Sequence, residues 1–181
     1  VGFSLGGNFS LRIVRSLRDL TIKNLKHIFA ISPVVDPWGA APLVDANPFF
    51  KRYFLKKWTR SLKIKHQLYP HLYPLIPELL NEKKVLGITE KLLPLYSDFD
   101  SMEDYFNSYR VDPHDLKTCP VPISIITAKD DGMIPVDDIM GLELNSNARR
   151  IILDHGGHNG FFQSLYGPTW YDDYISDIIF E

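Results

Sequence analysis

Residues 1–8 read VGFSLGGN, and Gly2 to Gly6 within them have the spacing G-x-S-x-G. A serine between two such glycines fits a sharp turn from strand into helix, with Val1 standing for the end of the strand. At such a turn the serine backbone is strained and its hydroxyl is held clear of the sheet. Residues two before and two after it approach neighbouring backbone too closely for a Cβ. On this reading Gly2 and Gly6 meet that demand, and Ser4 is the candidate nucleophile.

The sequence that follows has the order the turn requires. From Leu5 to Leu20 the apolar residues Leu5, Phe9, Ile13 or Val14 and Leu17 recur every three to four positions, with Arg12, Arg15, Arg18 and Asp19 between them. That spacing predicts an amphipathic helix starting directly after Ser4. HIFAIS (27–32), VPISIITA (121–128) and RRIILD (149–154) are short apolar runs and predict buried strands. Between the last two, Pro135 predicts a helix start, with helical spacing through about Leu144. A further helix is expected after Gly160, and WYDDYISDIIF (170–180) predicts the last one. Alternating strand and helix in this order predicts an α/β fold with a mostly parallel sheet and flanking helices.

The stretch from about Trp38 to Asp115 interrupts that alternation and is too long for a simple connection in a compact domain. It predicts an inserted helical lid, which divides the chain into core segments 1–37 and 116–181 and a lid over 38–115. Within it Phe50, Phe54, Trp58 and Leu62 fall at successive i+4 positions. Lys51, Arg52, Lys56, Lys57, Arg60, Lys63 and Lys65 occupy much of the remainder. One helix with an aromatic stripe and a basic face accounts for both sets. Its lysines serve as a solvated surface or, in the second reading, as a peripheral contact with an anionic membrane surface. Three prolines in YPHLYPLIP (69–77) predict a break in the lid, because each removes a backbone donor.

Composition sets outer bounds. The chain has 181 residues, is 45% hydrophobic and 23% charged, and carries a net charge of −2, which suits a globular chain with a buried core. Mixed charge near neutrality gives no reason to expect a nucleic-acid partner, and no apolar run approaches the roughly 18 residues of a membrane span. The single Cys119 cannot form an internal disulfide. It reads as a small apolar filler ahead of a strand and favours a reducing, cytoplasmic compartment.

A serine hydroxyl is a weak nucleophile near neutral pH and needs an imidazole to take its proton and a carboxylate to orient that imidazole. TAKDDGMIP (127–135) supplies Asp130 and Asp131 at the C-terminal end of a predicted strand, where sites in open α/β sheets gather. DHGGHNGFF (154–162) supplies His158 after a Gly156–Gly157 turn, with His155 as its competitor. The chain order Ser, Asp, His is that of one hydrolase architecture. A metal held by His155, His158 and an Asp finds no further ligand-rich motif in its support, so neither metal nor cofactor is expected.

At these residues the sequence resembles the α/β-hydrolase superfamily, and within it the YheT-like branch of esterases and lipases. GFSLGGN, AKDDGMIP and GGHNGF look like that branch's nucleophile, acid and histidine segments. FFKRYFLKKW and MEDYFNSY look similar to its lid and to the stretch before the acid strand. The resemblance implies Ser4 as nucleophile, His158 as base and Asp131, four before Pro135, as acid, with Asp130 the alternative. It also implies the Leu5 N–H as one oxyanion donor. The partner donor would come from a loop after an earlier strand, so the resemblance implies a C-terminal portion whose activity needs the family's first half. HIFAIS would then be an exposed edge strand. The implied activity is cleavage of a carboxylic ester with an apolar portion through an acyl-enzyme. Transfer of the acyl group to another alcohol, or a non-catalytic binding module retaining the triad, are the alternatives.

Overall fold

The computed structural model describes residues 1–17 and 22–180. Arg18, Asp19 and Leu20, the end of the first predicted helix, lie outside the described residues. The elements in chain order are β1 (Gly2–Phe3), α1 (Leu5–Ser16), β2 (Ile28–Ile31), α2 (Pro37–Ala46), α3 (Pro48–Leu68), α4 (Ile76–Leu79), α5 (Val85–Tyr96), α6 (Met102–Tyr109), β3 (Ile123–Ala128), α7 (Val136–Met140), β4 (Ala148–Leu153) and α8 (Trp170–Phe180).

The four strands form one parallel sheet in the order β1-β2-β3-β4. Parallel strands need crossovers, and here α1, the long segment after β2, and α7 with its loop supply them. The register pairs Gly2 with Ala30, Ala30 with Ile125, and Ile125 with Arg150, so the C-terminal ends of the strands line up. β2 and β3 are buried along their whole length, as the unbroken apolar runs require. One correction concerns the sheet edge. Residues 2–3 pair with residues 30–31, so β1, not the 27–32 strand, is the terminal strand. β1 pairs with Ala30 and Ile31 only, and among the described residues Ile28 and Phe29 have no strand beside them on that side.

Strand alternation sorts the core. Ile31, Ile126, Ala128 and Phe161 form one buried cluster, against which Trp170, Tyr171, Tyr174 and Ile175 of α8 pack. Ser124 shares this face of β3. Though fully buried, it is hydrogen-bonded to the Tyr174 hydroxyl at 3.0 Å and to His27 Nε2 at 2.9 Å. Ile123, Ile125 and Ile139 are fully buried as well, each burial stabilising by about 1.5–3 kcal/mol relative to exposure. Cys119 is 1% exposed, and its thiol donates to the Val121 carbonyl at 3.2 Å.

Of the expected apolar stripe of α1, Val14 and Leu17 are buried, and Leu5, Phe9 and Ile13 are not. Gly7, Asn8, Leu11 and Val14 are buried, while Leu5, Phe9 and Ile13 are 40–54% exposed. The buried stripe begins with Gly7 and Asn8, two residues that carry no apolar signal, and lies about half a turn from Leu5, Phe9 and Ile13. α7 is also shorter than predicted, ending at Met140, with the backbone beyond it in turns. No helix follows Gly160. Phe161 and Gly167 take positive φ, Pro168 lacks a donor, and residues 161–169 form irregular backbone up to α8.

The chain divides into two compact units, residues 1–37 with 109–181, and Trp38–Ser108. The second unit lies within the stretch read from the sequence as a lid over 38–115. Residues 109–115 belong to the sheet unit, where Val111 N–H bonds to Val35 O and Arg15 Nε pairs with the buried Asp115 at 2.7 Å. Within the insert, Leu62, Ile76, Leu79 and Ile88 form a core with Trp58, Tyr73, Leu92 and Tyr96 around it. Asn47 caps α3 through the N–H groups of Phe49 and Phe50, and the one-turn α4 reflects the prolines around it. None of the described helices is long and apolar enough to cross a membrane.

Candidate active site

Ser4 stands between β1 and α1 with φ 52° and ψ −116°, a backbone conformation that L residues rarely adopt. Three hydrogen bonds hold it there. Its N–H donates to Ile31 O at 2.8 Å, and its carbonyl accepts from Asn8 N at 3.0 Å and Val34 N at 3.3 Å. Gly2 is sterically obligatory, because a Cβ would lie 2.1 Å from Gly6 O and 2.3 Å from Ser10 Oγ. Gly6 is not: a Cβ there meets nothing within 4 Å. The close approach falls one residue later, at Gly7, whose Cβ would sit 3.0 Å from Pro33 Cα. The Leu5 N–H opens α1, among the first-turn donors that a helix leaves without intrahelical partners.

Asn8 was not singled out by the sequence. It is fully buried, and its side-chain amide donates to Val34 O at 2.7 Å and to Tyr109 O at 2.6 Å, tying the nucleophile helix to two loops. The available signal was a polar residue directly after the double glycine, on the helix face turned inward.

β3 ends at Ala128, and the turn after it separates the two neighbouring aspartates. The Asp131 side chain is wholly buried; its Oδ1 accepts from Met133 N at 2.8 Å and Ile134 N at 3.0 Å, and its Oδ2 lies 2.9 Å from His158 Nδ1. Burial, the largest influence, pushes this carboxyl up. The hydrogen bond and charge of His158 and the two backbone N–H groups together outweigh it, so its pKa lies below the ordinary value. Asp130, the alternative acid, is turned elsewhere. Its Oδ1 accepts from Gly156 N at 2.9 Å and Gly157 N at 2.8 Å, and its Oδ2 lies 3.6 Å from His155 Nδ1. The Gly157 N–H bond leads in holding the Asp130 carboxyl below its usual range.

Asp130 therefore shapes the loop that carries the imidazole. In that loop Gly157, Asn159 and Phe161 have positive φ, and a Cβ at Gly156 would come within 2.6 Å of the Phe161 ring. His158 emerges from it with its side chain 11% exposed, while the His155 side chain is 90% exposed. His158 Nε2 lies 3.0 Å from Ser4 Oγ. The structure thus brings Ser4, His158 and Asp131 into one hydrogen-bonded line, all within the sheet unit. With Nδ1–H held by the carboxylate, Nε2 is left as the acceptor that faces the hydroxyl, the tautomer a general base requires. Among the described residues no group of three or more His, Cys, Asp or Glu side chains is placed to hold a metal ion.

No family model matches the sequence, and no curated protein does. Solved structures match by fold. A variant of the meta-cleavage product hydrolase CumD of Pseudomonas fluorescens IP01 aligns over 98% of this chain and 61% of its own, with a TM-score of 0.51 and 16% identity. A serine hydrolase from the polyaromatic-hydrocarbon-degrading bacterium Cycloclasticus zankles aligns over 98% and 60%, with a TM-score of 0.51 and 13% identity. The chain thus spans about three fifths of the length of these structures, and over that span it has the α/β-hydrolase fold.

Proposed function

We propose that this chain carries the catalytic residues of a serine hydrolase of carboxylesterase or lipase type, of the YheT-like branch of the α/β-hydrolases. The observation that carries the reading is the line Ser4 Oγ, His158 Nε2, His158 Nδ1, Asp131 Oδ2, with contacts of 3.0 and 2.9 Å, built on a strained serine turn. Ser4 Oγ attacks the ester carbonyl as His158 Nε2 takes its proton. The imidazolium so formed is stabilised by Asp131, whose lowered pKa keeps it ionised. The Leu5 N–H donates to the oxyanion. His158 then returns the proton to the departing alkoxide, leaving an acyl-Ser4. Water, deprotonated by His158 in turn, releases the carboxylic acid and restores the serine. The substrate ester has an apolar acyl or alcohol portion, in keeping with the aromatic-rich insert.

The test is intact-mass labelling by a fluorophosphonate in the longest form of the protein that its gene encodes, beside a Ser4→Ala variant. One adduct on the parent and none on the variant is the expected result. A folded parent that takes no adduct at Ser4 overturns the assignment.

A further inference from the structure

The outward face of α3 carries an unusual combination. The helix holds seven cationic side chains, Lys51, Arg52, Lys56, Lys57, Arg60, Lys63 and Lys65, and no carboxylate, in a chain whose net charge is −2. Among the described residues none of the seven makes an ion pair, so a helix strongly positive along its length is left uncompensated by its neighbours. Buried Leu62 and half-buried Trp58 and Leu55 fix which side faces the insert's core.

The opposite side is not simply polar. At 100° per residue, Phe49, Tyr53, Ile64 and Leu68 fall within about 100° of one another on the solvent side. They are 75%, 51%, 44% and 64% exposed. Arg52, Lys56 and Lys63 border this ridge on one flank, Arg60 and Lys57 interrupt it, with the Lys57 ammonium 5.6 Å from the Tyr53 ring centroid, and Lys51 and Lys65 stand on the side of Trp58 and Leu62. The chain just beyond continues the apolar exposure with Tyr69 and Leu72, at 50% and 57%.

We infer that α3 lies flat on an anionic lipid surface, its aromatic and aliphatic ridge entering the acyl boundary while the flanking lysines and arginines meet the headgroups. Charge complementarity selects an anionic partner, and the ridge selects a bilayer over nucleic acid, whose backbone offers nothing for exposed Ile64 and Leu68 to bury against. Each cation near such a surface adds to the attraction, and salt screens it, so the cluster holds the protein reversibly and in a salt-dependent way. The inference is independent of the hydrolytic reading, because none of these residues belongs to the site at Ser4.

Co-sedimentation with phosphatidylcholine vesicles, with and without phosphatidylglycerol, tests it. The Ser4→Ala protein should bind only the anionic vesicles. Lys56→Gln/Arg60→Gln/Lys63→Gln should weaken binding on the order of a hundredfold, and Ile64→Ser/Leu68→Ser on the order of tenfold. In a separate measurement that keeps every charge, Tyr53→Trp should gain fluorescence that brominated acyl chains quench. Equal binding to neutral and anionic vesicles, or absence of that quenching, overturns the proposal. So does anionic binding that a soluble polyanion displaces and that Ile64→Ser/Leu68→Ser leaves unchanged.

Discussion

Asp131 carries the most consequential carboxylate in the sheet unit. Its native pKa lies below the ordinary 3.8, so the folded state favours the ionised form. That stabilisation is present above the ordinary value and is lost as pH falls through the native one. In Asp131→Asn the melting temperature should therefore drop at neutral pH, and the gap from the parent should close as pH is lowered below about 4. Ester hydrolysis by the same variant should fall on the order of 10⁴-fold, because the imidazole loses the partner that sets its tautomer. The two glycines around Ser4 make a contrasting pair. Gly2→Ala forces a methyl into the Gly6 carbonyl and should cost about 2–3 kcal/mol or more in urea denaturation, whereas Gly6→Ala should be neutral or stabilising by up to about 1 kcal/mol. The sequence picked out Ser4, Asp131 and His158 by their residue types beside predicted strand ends, and the fold brings these three side chains within hydrogen-bonding distance in a line. The choice between Asp130 and Asp131 rested on resemblance, since only the folded turn shows one carboxylate tied to the 156–157 backbone and the other beside the imidazole.

Among the elements, α1 depends on a residue that hydropathy overlooks. Asn8 satisfies the Val34 and Tyr109 carbonyls, so Asn8→Ala removes a donor from both. A loss of about 1–3 kcal/mol is expected in denaturant titration, with hydrogen exchange accelerating at the turn around Val34, whose N–H is bonded to Ser4 O. Periodicity found this helix and the buried Val14 and Leu17, but it also assigned Leu5 and Phe9 to the core, because Gly7 and Asn8 occupy the buried stripe without contributing apolar weight. The strands were read more closely, since a sheet buried on both sides leaves uninterrupted apolar runs in β2 and β3. The segment after Gly160 went astray for a backbone reason: positive φ at Phe161 is a property of packing around Gly156, and no residue type announces it.

For the molecule as a whole, alternation of strand and helix foretold the parallel sheet, while the Pro-rich, aromatic interruption falls in a compact unit of its own, Trp38–Ser108. Residues 109–115 look like loop in the sequence and belong to the sheet unit through contacts such as Arg15 with Asp115. The lone thiol of that unit lends the protein a built-in clock. Cys119 is shut away ahead of β3, with the Asn145 and Asn147 side-chain amides bonded to its carbonyl, and burial pushes its pKa up. A water-borne alkylating reagent can meet it only when that segment opens. Its modification in native buffer should thus be slowed, relative to the urea-unfolded chain, by the opening equilibrium itself. With one sulfhydryl in the sequence, the fraction of molecules carrying a single mass shift reports how often the segment ahead of β3 stands open, without attaching a dye or altering a residue.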